Sequence, residues 1–314
     1  MKTSYKVLFV GIGSIGKKHI RNLVSVLGEK DIGYQIDAVR SSIGELPSEV
    51  KAFVTDVYYD IAAVPSDYDI AFITNPTFKH YDTLLKLKEK AKYFFVEKPI
   101  FATTEQSVDT LGIPSEKNVY VACPLRYKEC LQYVKQEIDK GLKVISARAI
   151  SSSYLPEWRK GVDYRDVYSA KREMGGGVTL DLIHEWDYLT YFWGFPEKIW
   201  NINGQYSNLE IDSDDLSVYI AKYPDKLVEV HLDYFGRKTE RRLELFLDDS
   251  RMDVDIVNNS ITIYENGTDR VLNFETKDFY VTEMEYFLDC VEGRAINNNS
   301  INHAYDVLKM VYTK

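Results

Sequence analysis

At 314 residues the chain is long enough for two packed domains, and 45% hydrophobic with 28% charged side chains is ordinary globular composition. A formal charge of -9, from 39 basic and 48 acidic side chains, provides no global basic field and argues against a nucleic-acid partner. Cys123, Cys130 and Cys290 are too few for a disulfide framework and too scattered for a zinc site, so a metal-free chain in a reducing cytoplasm is expected.

The opening MKTSYKVLFVGIGSIG imitates a secretory leader, but only Val7 to Val10 are continuously apolar before glycine intervenes. No stretch reaches the ~18–20 apolar residues of a membrane span, so no membrane partner is expected. The run reads as a buried first strand. Further apolar runs follow at Ile36–Val39, Ile70–Ile73, Phe94–Val96 and Val119–Ala122, with helical segments at Ser14–Leu27 and His80–Lys90. This alternation predicts an α/β, doubly wound parallel sheet over residues 1–122.

Residues 123–314 read as a second, α+β domain. It opens with a helix ending near Gly141 and a strand at Val144–Ile150. Strand-like runs at Leu216–Ala221, Leu227–Tyr234 and Leu243–Leu247, without long helices between them, predict an open, largely antiparallel sheet. Two helices, Met284–Val291 and His303–Tyr312, close the chain.

Gly11-Ile12-Gly13-Ser14-Ile15-Gly16 matches G-x-G-x-x-G directly after the first strand and at the mouth of a helix. Gly11 permits the tight turn, Gly13 lets backbone approach a pyrophosphate, and Gly16 lets helix lie close on strand. The helix N-terminus adds unpaired N–H groups and a positive dipole end, which suits a dinucleotide. After the second strand, Arg40 with Ser41 and Ser42 suits a 2′-phosphate, a slight preference for NADP(H) over NAD(H). The competing reader, Asp37, lies mid-strand, where it should not point over the strand end; a merely solvated Arg40 stays open.

Glu97-Lys98-Pro99 follows the strand Phe94–Val96, at the carboxyl edge where ligands of a parallel sheet bind. Proline restricts Lys98 to extended geometry. A lysine partly withdrawn from water can pass a proton to or from an alcohol oxygen while hydride moves at carbon.

Together, Gly11 to Gly16 with Lys17-Lys18-His19, Thr74-Asn75-Pro76 with His80, and Glu97-Lys98-Pro99 resemble the Gfo/Idh/MocA oxidoreductases. The likeness extends along the chain and is strongest over 5–127 and 154–194. It implies that Lys98 is catalytic, that Asn75, Pro76 and His80 lie along the cofactor beside Glu97, and that the C-terminal sheet forms a homodimer or homotetramer.

Gly175-Gly176-Gly177 precedes a segment, Val178 to Tyr188, that reads as one helix with Asp181, His184 and Tyr188 on one face and Asp187 beside it. An imidazole held by a carboxylate suits acid/base work or a substrate hydroxyl, whereas a buried structural pair is the competing reading. The resemblance assigns catalysis to Asp181 and His184, with one departure: many members space the pair D-x-x-x-H, and here it is D-x-x-H. The form around these residues is similar to a branch associated with bacterial surface sugars and nonulosonic acids.

So is Tyr154-Leu155-Pro156-Glu157-Trp158-Arg159 with Asp163-Tyr164-Arg165. From Glu157 to Glu173 five basic residues face four acidic ones, interleaved with aromatics, so Tyr154, Trp158 and Arg165 are expected to stack and clamp an anionic sugar, with Lys98 and Arg126 reaching the same substrate. The expected activity is hydride transfer between nicotinamide and a sugar, sugar acid or nucleotide sugar. A cyclitol or free-sugar dehydrogenase is the alternative, and a non-catalytic nicotinamide-binding sensor the alternative of another class.

Overall fold

The computed structural model describes residues 2–113, 118–265, 267–275 and 277–313. The chain runs β1 (Ser4–Val10), α1 (Ser14–Glu29), β2 (Gly33–Val39), α2 (Ser48–Lys51), β3 (Val54–Tyr58), β4 (Tyr68–Ile73), α3 (His80–Leu87), β5 (Ala91–Val96), β6 (Val119–Val121) and α4 (Glu129–Asp139). It continues with β7 (Ser146–Tyr154), α5 (Val178–Asp181), α6 (His184–Trp193), β8 (Lys198–Gly204), β9 (Leu216–Lys222), β10 (Leu227–Asp233) and β11 (Phe235–Phe246). Last come β12 (Ser250–Asp255), β13 (Ser260–Glu265), β14 (Thr268–Asn273), α7 (Phe279–Val291) and α8 (Ile301–Val311). Two units result: Met1–Pro124 with Asp278–Leu308, and Leu125–Lys277 with Lys309–Lys314.

The first unit holds a six-stranded sheet in the order β3-β2-β1-β4-β5-β6, every pair parallel. From β1 the chain steps outward to β2 on one side and β4 on the other, which opens a crevice at the carboxyl ends of these strands. Phe9, Phe72, Phe95 and Tyr120 stack across four neighbouring strands at centroid separations of 4.4, 5.1 and 5.4 Å. Helix α7 covers them, with Phe287 edge-on to Phe72 at 5.7 Å and to Phe95 at 5.2 Å. Burying one such ring contributes roughly 1.5–3 kcal/mol.

Fully buried Glu283 of α7 accepts the backbone N–H of Cys123 at 2.5 Å and the Tyr120 hydroxyl at 3.2 Å. This return corrects the division at residue 122, which gave everything beyond it to a second domain. Residues Asp278–Leu308 belong with the parallel sheet because α7 supplies both an apolar face and a carboxylate to the end of β6. The unit also contains a strand the apolar runs omit, β3, whose half-exposed VTDVY sequence suits the edge it occupies.

The second unit holds an eight-stranded open sheet in the order β14-β13-β12-β11-β7-β10-β9-β8. All neighbours are antiparallel except β7 and β10. Ala147, Ala149, Val228, Val230, Leu243 and Leu245 fill one face; on the other, Trp200, Ile202 and Ile220 stand exposed. Among the described residues no helix is long and apolar enough to cross a membrane, and no cluster of three or more metal-ligating side chains occurs.

Candidate active site

Two clusters of polar residues mark the molecule, one in each unit. In the first, β1 delivers the chain into Gly11, whose φ of 96° lies in the region that favours glycine. A Cβ on Gly11 would meet the Asn75 backbone at 2.8 Å, and one on Gly16 would run into the Gly11 carbonyl, whereas a Cβ on Gly13 would project into open space. Packing therefore explains the first and third glycines, and the second borders room for a ligand. Helix α1 starts at Ser14 with no side-chain cap and no acidic residue in its first turn, leaving its N–H groups and dipole for an anion. These features fit a dinucleotide pyrophosphate, with Ile12, Ser14 and Ile15 completing the loop.

Three loops at the carboxyl edge are tied together. The Thr74 hydroxyl donates to the Gly11 carbonyl at 2.7 Å. The His80 ring faces the Asn75 carbonyl through Nε2 at 2.9 Å and the Pro99 and Ile100 carbonyls through Nδ1 at 3.1 and 3.2 Å. Its side chain is buried and both ring nitrogens face these carbonyls, so His80 clamps the loops that follow β4 and β5. Burial lowers its pKa below the usual imidazole value, against the carbonyls and Glu97, which favour the cation. Asn75 donates to the Thr83 hydroxyl at 2.8 Å, and Pro76 beside it is exposed.

Glu97 faces His19 Nε2 at 2.5 Å and accepts the Lys98 backbone N–H at 3.2 Å. Burial alone would raise the Glu97 carboxyl, but the hydrogen bond and charge of His19, followed by the charge of Lys98, hold it below the usual carboxylate value. Lys98 is half-buried at the end of β5, and its bond to Pro99 is cis. On the far side of the crevice, Arg40 is turned onto its own loop, donating to the Glu45 carbonyl at 2.9 Å and to Ser42 at 3.0 Å, with Ser41 between. Asp37 is 1% exposed and accepts the Tyr68 hydroxyl at 2.7 Å, so this carboxylate faces the core.

In the second unit the predicted single helix from Val178 to Tyr188 is two. Leu182, at φ -100° and ψ 24°, ends α5, and three-residue hydrogen bonds from Ile183 to Leu180 and from Glu185 to Leu182 tighten the turn before α6. Asp214 pins the start of α5 by accepting the Thr179 N–H at 3.0 Å and hydroxyl at 2.6 Å, close against Gly177, where a Cβ would collide with it. Asp181 therefore closes one short helix and half-buried His184 opens the next. Tyr188 is buried with no hydrogen-bond partner for its hydroxyl among the described residues, and Glu185 pairs with Arg241 at 2.8 Å.

The Asp181 carboxylate accepts the Tyr234 hydroxyl at 2.6 Å. Burial and then the Asp181 charge raise the Tyr234 pKa; for Tyr168 the Asp181 charge comes first and burial second. Both phenols stay protonated beside the carboxylate. Trp158 packs edge-on to Tyr234 at 5.2 Å. Tyr234 reads from sequence as the end of an apolar strand and not as a site residue, because it enters the cluster only through folding; its one signal is a polar tip at a strand end.

Arg126 stands in the interior of the second unit. Its side chain is fully buried and forms two 2.8 Å bonds to Asp187, with Tyr191 against its guanidinium at 4.7 Å, so its guanidinium is held in an interior ion pair. Arg165 is exposed between Asp163 and Glu210, 2.6 Å from each, and its hydrogen bonds pull the Asp163 carboxyl down to about 2. Tyr154 lies under Arg237, 3.8 Å from ring centroid to guanidinium, in different surroundings from Trp158.

Glycine loop, switch-point crevice and mixed second sheet define a chain of two units, the first built as a dinucleotide-binding fold. Residues 5–123 match the Gfo/Idh/MocA model described as "Oxidoreductase family, NAD-binding Rossmann fold". It is 20% identical over 297 residues, 90% of this chain and 87% of the relative, to UDP-N-acetylglucosamine 3-dehydrogenase of Acidithiobacillus ferrooxidans. It is 26% identical over 217 residues to inositol 2-dehydrogenase/D-chiro-inositol 3-dehydrogenase of Lacticaseibacillus casei, a stretch spanning 66% of this chain and 55% of that protein. A solved structure of the Acidithiobacillus enzyme superposes with a TM-score of 0.79 at 18% identity, covering 98% of this chain and 95% of the other. Levoglucosan dehydrogenase in complex with NADH and levoglucosan gives 0.84 at 14% identity, with coverage of 98% and 95%.

Proposed function

We propose that the chain is an NAD(P)-dependent dehydrogenase acting on a CH–OH carbon of a sugar, sugar acid or nucleotide sugar, with Lys98, Asp181 and His184 as the catalytic residues. The observation that carries this reading is the carboxyl edge of the parallel sheet. There Glu97, held by His19, and the His80 clamp fix the backbone on both sides of Lys98, on the strand next but one to the glycine loop. The bound cofactor supplies a hydride acceptor or donor. In the oxidation direction Lys98 Nζ takes the hydroxyl proton as the carbon loses hydride; in reduction it returns that proton to the oxygen. Asp181, whose carboxylate accepts the Tyr234 hydroxyl, orients His184 or a substrate hydroxyl.

The 2′-phosphate cofactor is favoured because Asp37, the carboxylate that would repel it, is turned into the core, while Arg40 and Ser41 stand at the strand end. Trp158 beside Tyr234 supplies an aromatic face for a sugar. The exposed Trp200, Ile202 and Ile220 support pairing of the second sheet with another copy, and three free thiols support a reducing cytoplasm. Free inositol is the second reading, favoured by the Lacticaseibacillus relative. The relatives named here are dehydrogenases and give no support to a sensor.

The test is Lys98→Met with binding and turnover measured separately. NAD(P)H affinity by fluorescence should stay within a few fold of wild type, while kcat falls by ~10² or more, the scale of a lost positioned proton donor. Near-normal turnover in the folded variant removes Lys98 from the chemistry.

A further inference from the structure

A cavity of about 410 Å³ opens in the second unit, within the roughly 300–1,000 Å³ of small-molecule sites. Tyr154, Tyr164, Tyr206 and Phe235 line it together with Ser207 and Arg237. Phe235 directly follows Tyr234, whose hydroxyl donates to Asp181.

Two buried carboxylates hold the walls in place. Asp215, fully buried, accepts the Tyr206 N–H at 2.7 Å, the Ser207 N–H at 3.0 Å and the Ser207 hydroxyl at 2.6 Å, which fixes the loop over the cavity. Asp233, 3% exposed, accepts the N–H groups of Phe235 at 3.1 Å and Gly236 at 2.7 Å. Beyond them the register of β11 against β7 shifts between Phe235 and Glu240, a bulge that projects Arg237 over the Tyr154 ring. Gly236 is required at the bulge, since a Cβ there would collide with the Ser152 side chain.

Charge separates Arg237 from its neighbours. Arg165 is neutralised by Asp163 and Glu210, Arg241 pairs with Glu185, and Arg242 pairs with Glu240 and Glu244. Arg237 has an aromatic ring beneath it and no carboxylate partner among the described residues. A guanidinium stacked on tyrosine keeps its N–H fork directed outward, suited to a phosphate or carboxylate, while the surrounding rings suit the flat face of a base or pyranose.

We propose that this cavity is a binding site for a ring that carries an anionic group, either a nucleoside phosphate or a sugar acid, with Arg237 as the anion contact. The site stands on the geometry of the second unit alone, independently of whether Lys98 and Asp181 carry out hydride transfer.

The experiment titrates UDP and glucuronate, separately, into the full chain by calorimetry with the dinucleotide site saturated by NADPH. Wild type should bind at least one of them. Arg237→Ala should weaken that binding by tenfold or more, Arg237→Lys by less, and Arg270→Ala, on the exposed edge strand β14, by under twofold, with NADPH affinity equal in all four proteins as the check on folding. Loss of UDP binding alone identifies a nucleoside phosphate, and loss of glucuronate binding alone a sugar acid. Binding of neither probe, or binding indifferent to Arg237→Ala, overturns the proposal. Failure to bind NADPH would count against the dehydrogenase reading instead.

Discussion

The glycine loop of the first unit and the Asp181 cluster of the second are built by different means. The loop is local: six consecutive residues, a strand before and a helix after, with backbone N–H groups as the working parts. The cluster is gathered from afar: Asp181 ends α5, Tyr168 comes from the preceding turns, and Tyr234 arrives from beyond β10. A site made of backbone leaves its pattern in sequence spacing, whereas a site made of side chains meeting across a fold leaves residue types without their partners.

That contrast breaks most readily at Tyr234. Tyr234→Phe removes one donor to a buried carboxylate, for which an unsatisfied group costs ~1–3 kcal/mol. The expected result is a fall in kcat of about tenfold with NAD(P)H affinity unchanged, measured by steady-state kinetics beside fluorescence titration. An equal loss of cofactor affinity would mean that the two clusters are not separable in this way.

The same contrast explains what could be read in advance. The parallel sheet, the glycine loop and the Glu97-Lys98-Pro99 step were legible because each is a short pattern with a backbone reason. The break between Asp181 and His184 was not, since D-x-x-H spacing is as compatible with one helix as with two joined by a tight turn. Arg126 read as a ligand arm because the sequence does not show that Asp187 will meet it in the interior. His80 read as a cofactor contact because the sequence does not show that its ring will face three carbonyls. The return of α7 to the first sheet has no chain-order signal at all; it rests on Phe287 and Glu283 finding the end of β6.

A smaller effect sharpens the comparison from the cofactor side. Burial holds the folded His80 imidazole below its ordinary value, so between the two values the unfolded chain binds more protons. Stability tied to His80 is therefore complete above the ordinary imidazole value and is lost as pH falls through that window to the folded value. Urea midpoints between about pH 7 and pH 5, above the carboxylate range, should decline in wild type and decline less steeply in His80→Gln. Equal slopes in the two proteins would show that His80 is not the proton-linked clamp of these loops.

The central claim is that a dinucleotide bound at the glycine loop exchanges hydride with a sugar derivative. The most direct measurement incubates the full chain with NAD+ or NADP+ and a panel of nucleotide-linked sugars, sugar acids, free hexoses and inositol, following the absorbance of reduced nicotinamide. The account predicts cofactor reduction with an anionic sugar derivative, faster with NADP+ than with NAD+. Efficient reduction with free inositol or glucose alone would move the substrate to the second reading. Cofactor binding with no reduction across the panel, in either direction, would contradict the dehydrogenase assignment.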